Sequence, residues 1–264
     1  MSASTGSAPV ELRVATLNLR NLADRWDERL PVLLADFAAL QPDLIGLQEV
    51  VYPLQQDRLL GAAGAASYEV RRGWAGRPEY GNATLIRIGL PGALELARDA
   101  SDDRLDLGLA RSALRVELSR GGRPALRFVT VHLHHTTDEE GARHRDEQAA
   151  RLLQWLAALP AVPATIMVGD FNANPREAAY GRLAGVFRSA SVEANGREPD
   201  VTWPSGLQAP AMDTDGEPMC LDYIWLGGAV HAVTARLVFD RPAVGDATLY
   251  PSDHVGVAAQ VRLG

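Results

Sequence analysis

The order of strand and helix patterns along the chain predicts a layered α/β or α+β domain. Short runs of apolar, β-favouring residues alternate with segments whose apolar residues recur at helical spacing. No glycine fingerprint of a dinucleotide-binding fold accompanies this alternation. The 264 residues fall within the range of one large domain, without a linker, repeat or low-complexity tract. We therefore expect a single domain over 11–264, preceded by a flexible tail over 1–10.

The first half of the chain predicts a helix between two strands, followed by further strands. Residues 27–40 carry leucine and phenylalanine at helical spacing. Pro31 lies near the start of this helix, where proline is tolerated, and Pro42 helps to end it. The predicted strands cover 12–17, 43–49, 68–71 and 84–88.

The second half predicts a hairpin, a long helix and a group of closing strands. A helix is expected over 138–159, because alanine and leucine recur on one side of it. Thr137 and Glu140 have the spacing of a capping box at its start. A short helix is predicted around 176–183. The predicted strands cover 111–118, 125–133, 164–168, 221–226, 230–239 and 255–261.

Composition and charge indicate a soluble protein with an acidic balance. The net charge is −7, and all 26 basic residues are arginine. This balance counts against broad binding of duplex DNA, although local arginines can still hold a phosphate. No apolar stretch is long enough to span a membrane, and the N-terminal residues lack the pattern of a secretory signal. We expect a cytoplasmic monomer in which Cys220 is a small buried hydrophobe.

Residues 167–175, Met-Val-Gly-Asp-Phe-Asn-Ala-Asn-Pro, are the most informative segment for function. An apolar run precedes Gly169, which lets the backbone turn. Asp170 and Asn172 stand two residues apart, so they point the same way if the extended backbone continues. Such a pair can hold a water molecule and a phosphate oxygen over a hard metal ion. The alternative is an ordinary turn before Pro175.

Five further segments place an asparagine, glutamate, histidine or aspartate at or just beyond an apolar run. Each alone is unspecific, since a polar residue often ends a strand or begins a turn. Their order and spacing within one chain make the pattern specific. The segments are 16–19 with Asn18, 47–50 with Glu49, 129–133 with His132, 220–226 with Asp222, and 250–257 with Asp253 and His254.

Together these segments resemble the motifs of the endonuclease/exonuclease/phosphatase superfamily of metal-dependent phosphoesterases. The resemblance extends from about Leu12 to Val261, and Gly-Asp-Phe-Asn and Ser-Asp-His are its specific motifs. It implies a four-layer sandwich, in which two mixed β-sheets pack face to face with helices outside and the site lies at one edge. The chain departs from many relatives at Gly256, where they have proline, and at Cys220 and Leu221, where they have Arg-Ile.

The resemblance implies a site for Mg²⁺, for which Mn²⁺ can substitute. Glu49 would be a ligand, and Asn18 would be a second ligand or would orient Glu49. Asp253 would bind the ion directly or through water. Mg²⁺ keeps several waters and needs only one or two protein carboxylates, so this small set is sufficient.

The resemblance also implies the catalytic residues. Asp170 would orient or deprotonate the attacking water, and Asn172 would hold the scissile phosphate. His254 would stabilise charge on the phosphoryl group in the transition state. Asp222 would pair with this histidine, fix its ring and favour its charged form.

Two further residues are expected to contact substrate. His132 lies inside Val-His-Leu, where a lone histidine is more often structural, but the resemblance implies a phosphate contact. Asn82 precedes a predicted strand whose counterpart in the family has a polar residue near the phosphate; a turn residue is the alternative. Arg145 and Gln148 match a spacing seen in bacterial members, and we expect them to be scaffolding on a helix surface.

The expected activity is Mg²⁺-dependent hydrolysis of a phosphodiester bond by in-line attack of an activated water. A nuclease acting on DNA or RNA is one alternative and would need a rim of arginines. A phosphatase acting on a small phosphomonoester is another. A non-catalytic phosphoester-binding module is disfavoured, because no residue of the motif set is missing. The candidates for an arginine rim are Arg71, Arg72, Arg77 and Arg87.

Overall fold

Strands and helices alternate along the chain, as the sequence patterns predict. The computed structural model describes residues 9–63, 67–97, 104–210, 212 and 216–264. The strands are β1 (Val10–Asn18), β2 (Leu44–Val51), β3 (Tyr68–Ala75), β4 (Arg77–Arg87), β5 (Leu94–Leu96), β6 (Arg104–Gly108), β7 (Arg111–Arg120), β8 (Arg123–His132), β9 (Ala164–Asp170), β10 (Arg188–Ser189), β11 (Asp222–Gly228), β12 (Val230–Val238) and β13 (Gly256–Leu263). The helices are α1 (Trp26–Leu40), α2 (Leu54–Ala63), α3 (Glu139–Ala158), α4 (Ala178–Ala184) and α5 (Ala190–Asn195).

The strands form two mixed sheets with the same pattern of directions. The first has the order β12-β13-β1-β2-β4-β3, and the second has the order β10-β11-β9-β8-β7-β5, with β6 also paired to β7. In each sheet one central pair is parallel, β1 with β2 and β8 with β9. The remaining pairs are antiparallel. Each parallel pair is joined through a long helix, α1 or α3, because parallel strands need a crossover connection.

The two sheets pack face to face, and helices cover their outer faces. Apolar residues from both sheets fill the space between them, among them Val14, Phe128, Ile166, Ile224 and Val257. The helix α1 buries its apolar face on the first sheet, and α3 and α4 cover the second. This is the four-layer α/β sandwich, so the predicted fold class is confirmed. In the described part of the chain, none of the helices has the length and apolar composition needed to span a bilayer.

Side-chain alternation carries polar residues to one edge of the interlayer core. Along β9, Ile166 and Val168 are buried between the sheets, and Asp170 continues the same row. Strand pairing sets His132 of β8 and Asp222 of β11 beside Asp170, and Ser112 of β7 beside His132. Four strands therefore place a polar side chain in one row across the second sheet.

The sequence interpretation was wrong about Gly169 and about the cap of α3. Gly169 does not turn the chain but lies within β9, at a φ of 153°. A Cβ there would approach the carbonyl oxygen of Val131 to 2.0 Å, so the neighbouring strand requires glycine. The residue that caps α3 is Asp138, whose side chain accepts from the backbone N–H of Gly141 at 2.7 Å. The predicted capping box began one residue too early.

Other differences concern short elements and the N-terminus. The short strands β5, β6 and β10 and the helices α2 and α5 were not predicted, because they have little apolar periodicity of their own. The strand β1 begins at Val10, so this buried residue, which was expected in the tail over 1–10, belongs to the first sheet. Residues 1–8 of that tail lie outside the described residues.

Gly46 sets the spacing of the sheets and provides a test of their packing. A Cβ at this position in β2 would lie 2.5 Å from Val168 Cγ2 and 2.7 Å from Thr130 Oγ1, both in the opposite sheet. We expect Gly46→Val to lower the free energy of unfolding by about 1–3 kcal/mol through overpacking. The measurement is urea denaturation. Gly61→Ala is the control, because this exposed glycine in α2 has open space around it and alanine favours a helix. An unchanged midpoint for the valine variant would contradict close packing of the sheets here.

Candidate active site

A cavity of about 320 Å³ opens at the edge of the sandwich where the polar row ends. Seven of the nine residues predicted for the site line it, namely Asn18, Glu49, His132, Asp170, Asn172, Asp253 and His254. The other two lie deeper: Asp222 is behind His254, and Asn82 is between the sheets. The structure therefore brings together side chains from both sheets and from the loops that follow them.

Asp170 is the buried carboxylate at the centre of this cavity. Its Oδ2 accepts from Asn18 Nδ2 of the opposite sheet at 2.9 Å and lies 3.5 Å from His132 Nε2 and 3.7 Å from His254 Nε2. Its Oδ1 accepts from the backbone N–H of Asn172 at 2.9 Å. Burial raises the pKa of Asp170 to about 7, and the neighbouring Asp222 acts in the same direction, while His254 opposes them. Such a pKa suits a group that accepts a proton near neutral pH.

His254 and Asp222 form a buried pair, in which His254 lines the cavity and Asp222 lies behind it. His254 Nδ1 lies 2.9 Å from Asp222 Oδ2, and both side chains are almost fully buried. Burial by itself would lower the pKa of His254, but the charges of Asp222, Asp170 and Asp253 outweigh it and raise the pKa to about 10. At neutral pH the imidazole is therefore a cation whose Nε2–H points toward Asp170.

His132 differs from His254 although it lies in the same cavity. Burial lowers the pKa of His132 well below its usual value, and the positive charges of Arg111 and His254 lower it further. His132 is therefore neutral at physiological pH. The site combines one charged and one neutral histidine, and the number of carboxylates near each ring accounts for the difference.

The backbone around Glu49 directs its side chain into the cavity. Regular alternation after Gln48 would turn Glu49 toward α1, but the pairing of β2 with β4 is irregular here and Glu49 has a φ of 55°. Its Oε2 accepts from Asn21 Nδ2 at 2.9 Å, and its Oε1 lies 3.5 Å from Asn18 Nδ2. Asn18 thus presents its amide nitrogen, and not its oxygen, to Glu49. Of the two roles that the sequence left open for Asn18, this geometry favours orienting Glu49 over binding the metal.

Asp253 completes the carboxylate side of the cavity. Its Oδ1 lies 3.2 Å from Ser252 Oγ, and its Oδ2 lies 3.6 Å from Arg20 Nη1. Ser252 donates its single O–H to the backbone carbonyl of Asn18 at 2.6 Å. The loop that carries Asp253 is therefore fastened to the end of β1.

The carboxylates of this cavity fit a hard divalent cation. Glu49 contacts the amides of Asn18 and Asn21 and the hydroxyl of Tyr80, and among the described residues no arginine or histidine nitrogen lies within 4.0 Å of its carboxylate. With Asp170 and Asp253 it offers oxygen atoms of the kind that Mg²⁺ and Mn²⁺ prefer. Asp170, Asp222 and His254 also bring three ligand atoms within 4.8 Å of one another. A protonated imidazole cannot bind a metal ion, so the charge of His254 leaves the oxygen atoms on the side of Glu49 as those suited to a cation.

Asn172 faces the cavity in a left-handed conformation, with a φ of 49°. Its Nδ2 donates to the carbonyl of Leu133 at 3.1 Å. An amide nitrogen carries two hydrogens, so this bond fixes the side chain while one donor remains for a ligand.

Asn82 is not in the cavity wall, contrary to the contact that the sequence predicted. Its Nδ2 donates to the carbonyl of Ser112 at 2.8 Å and lies 3.4 Å from that of Thr130. Both carbonyls belong to the opposite sheet. The amide is therefore occupied by hydrogen bonds between the sheets, which hold the site ends of β4, β7 and β8 together.

Arg29 is an important residue that sequence reasoning missed. It is buried in α1 on the same helical face as Leu33 and Phe37, and a charged residue on an apolar face was the signal available. The guanidinium links the loop after Asn18 to the segment before Ser252. It donates to the backbone carbonyls of Leu19, Arg20, Asn21, Ala23, Asp24 and Pro251.

The arginines near the cavity also differ from those expected. The expected surface position of Arg145 and Gln148 is wrong, because both are buried; Arg145 pairs with Glu177 at 2.7 Å, and Gln148 Oε1 accepts from the backbone N–H of His134 at 2.9 Å. None of the four arginines proposed as a rim lines the cavity, and Arg87 instead contacts Asp43. The arginines that do line it are Arg20, Arg111 and Arg145.

Comparisons with known proteins identify relatives of this chain and solved structures that share its fold. Human Nocturnin is 27% identical over 258 residues, which cover 88% of this chain and 57% of the human protein. This chain therefore spans little more than half the length of that relative. Among solved structures, D. rerio TDP2 complexed with a single-strand DNA product has a TM-score of 0.75 at 20% identity and covers 95% of this chain and 98% of its own. The human Nocturnin catalytic domain with a bound sulfate anion has a TM-score of 0.73 at 23% identity, with coverages of 96% and 95%.

The family model for the Endonuclease/Exonuclease/phosphatase family matches residues 15–254. That range contains every residue predicted for the site. The chain belongs to the Endonuclease/Exonuclease/phosphatase family.

Proposed function

We propose that this protein hydrolyses a phosphodiester bond by in-line attack of a water molecule, with Mg²⁺ or Mn²⁺ as its metal. The observation that carries the proposal is the placement of Asp170 between neutral His132, cationic His254 and the carboxylate of Glu49 in one cavity. A base, an acid and a set of oxygen ligands thus converge on a volume that a phosphoryl group can occupy.

Asp170 is the group that orients and deprotonates the water. Its Oδ1 is fixed by the backbone of Asn172 and its Oδ2 by Asn18, so the carboxylate is held before substrate arrives. Burial and the raised pKa favour transfer of a proton to it near neutral pH.

His254 and Asn172 receive the negative charge that develops on the phosphoryl oxygens. His254 keeps its proton because Asp222 and the other buried carboxylates surround it. Fixed donors of this kind lower the barrier because they need no reorganisation during the reaction. His132, which is neutral, can donate its one N–H to a phosphate oxygen.

Glu49 and Asp253 would hold the metal, and Asn18 and Asn21 would orient Glu49 through their amides. When bound, the cation supplies charge neutralisation and polarisation at the phosphoryl group. The left-handed backbone of Glu49 supports this role, because unusual conformations persist where function requires them.

The cavity favours a small diester or an exposed chain end over the side of a duplex. It is a pocket of about 320 Å³, and the protein has a net charge of −7. A nuclease that acts on chain ends is the second candidate, supported by the fold shared with TDP2 in complex with a single-strand DNA product. Activity that falls steeply with salt on an oligonucleotide, but not on a small diester, would favour this candidate.

The first test is hydrolysis of bis(p-nitrophenyl) phosphate and of p-nitrophenyl phosphate by wild type and Asp170→Asn. We expect the diester to be cleaved and the variant to lose on the order of a hundredfold or more of kcat, because the proton acceptor is gone. The free energy of unfolding should stay within about 1 kcal/mol of wild type, since the folded state already disfavours this charge. Asp200→Asn, at an exposed aspartate, is the control. Cleavage of the monoester alone would replace the proposal with a phosphatase.

The charge of His254 should depend on Asp222. In the metal-free protein we expect its imidazole to stay protonated until about pH 10. Asp222→Asn removes a negative charge while burial still penalises the cation, so the pKa of His254 should fall. Histidine NMR titration measures both values, with His254→Gln to assign the signal. A wild-type pKa near the usual 6.5 would contradict the assigned cation.

Glu49 should control metal affinity. We expect Glu49→Gln to weaken Mn²⁺ binding, followed by electron paramagnetic resonance, on the order of tenfold or more, because a charged oxygen ligand is lost. Chelation should abolish diester hydrolysis, and Mg²⁺ or Mn²⁺ should restore it. Glu95→Gln, at an exposed glutamate away from the cavity, is the control. Restoration by Zn²⁺ but not by Mg²⁺ would refute the assignment of a hard oxygen site.

A further inference from the structure

Arg111 differs from the other arginines of the cavity in having no acidic partner. Arg145 pairs with Glu177 at 2.7 Å, and Arg20 pairs with Asp24 at 2.8 Å. Within the described ranges, no aspartate or glutamate oxygen lies within the 4.0 Å ion-pair distance of the Arg111 guanidinium. The cavity wall therefore contains one cation whose charge is not compensated by a contact.

Neutral groups hold this guanidinium in place. Its Nε donates to the carbonyl of Leu133 at 2.9 Å, and its Nη1 donates to that of Ala110 at 3.3 Å. Its Nη2 lies 3.0 Å from His135 Nδ1. A guanidinium has five N–H groups, so each terminal nitrogen keeps one for a ligand. An arginine always carries its proton, so Nδ1 of His135 is the acceptor and the neutral ring has its N–H at Nε2.

Strand register sets Arg111 next to the reacting groups. Ser112 pairs with His132, and His132 pairs with Asp170, so Arg111 lies one residue beyond the polar row on the outer side. After burial, the charge of Arg111 is the largest influence that lowers the pKa of both His132 and His135. Its field therefore reaches the part of the cavity where the scissile phosphate would lie.

We propose that Arg111 and His135 form a subsite for a second phosphate of the substrate, adjacent to the phosphate that is hydrolysed. An oriented guanidinium with an N–H on each terminal nitrogen matches two oxygens of a phosphate, and His135 Nε2 adds a third donor. The substrate class is then a phosphodiester that carries a neighbouring phosphate, such as a nucleotide with two phosphate groups. This inference rests on the proposed hydrolysis. It adds a binding site for a second phosphate, which a substrate with a single phosphate would not occupy.

The test compares two chromogenic diesters, the p-nitrophenyl ester of thymidine 5′-phosphate with and without a 3′-phosphate. With Mg²⁺ in excess, wild type should have the lower KM for the 3′-phosphorylated substrate. Arg111→Gln should raise that KM on the order of tenfold or more, because charge-assisted hydrogen bonds are lost. The KM for the other substrate should rise less, because the charge of Arg111 acts on that substrate only from a distance, so the preference for the 3′-phosphorylated substrate should be largely lost. Arg111→Lys keeps the charge but lacks the planar guanidinium, so its KM for the 3′-phosphorylated substrate should lie between those of wild type and Arg111→Gln.

Arg123→Gln is the matched control, because this exposed arginine lies at the opposite end of the same hairpin. Thermal unfolding checks that the variants are folded, and the wild-type preference is informative without any variant. If wild type has equal KM values for the two esters, or if Arg111→Gln keeps the preference for the 3′-phosphorylated ester, the proposed subsite is wrong. Hydrolysis of both esters by wild type would still support the proposed function. Failure of wild type to hydrolyse either ester would overturn both.

Discussion

The register between β8, β9 and β11 is the constraint on which the rest of the site depends. It sets His132 and Asp222 on either side of Asp170, with all three facing the space between the sheets. Side chains alternate between faces along a strand, so a slip of one residue in any pair would turn one of these groups toward the outer helices. The apolar rows that end in these residues prevent such a slip. The packing of the core and the geometry of the site therefore have a common cause.

The two histidines of the site differ in charge because different groups surround them. Carboxylates surround His254 and keep it cationic, while Arg111 and burial keep His132 neutral, although both rings approach Asp170 within 4 Å. Asp170 itself is shielded from water but held by donors from both sheets, so it combines a raised pKa with a fixed orientation. A local excess of oxygen ligands on one side and of cations on the other suits a phosphoryl group bound between them.

Most strands and helices and several of the site residues could be predicted from the sequence. The features that could not be predicted have physical reasons. Asp170, His132 and Asp222 end or begin apolar runs, and the resemblance to the family's motifs implied that they belong to one site at the edge of the sandwich. The irregular pairing of β2 with β4 turns the Glu49 side chain to the face that regular alternation would not predict. Only the resemblance of its segment to a family motif indicated the role of Glu49. Asn82 was misplaced, because its motif does not reveal that its amide bonds across the sheets. Arg29 also contacts the carbonyl of Pro251, and Arg111 contacts that of Leu133; these bonds join segments 222 and 22 residues apart, and no local pattern encodes them.

The position of β13 has a consequence for how the chain folds. This strand lies between β12 and β1, so the first sheet joins residues from both ends of the described domain. Ser252 and Arg29 add hydrogen bonds to Asn18 and Pro251 across 234 and 222 residues of sequence. During synthesis β1 therefore exposes an unpaired edge until residues 256–263 have emerged, and such edges promote aggregation. Ser252 and His254 lie just before β13, so they reach Asn18 and Asp170 only in that last step, and a truncated or nascent chain lacks the assembled cavity.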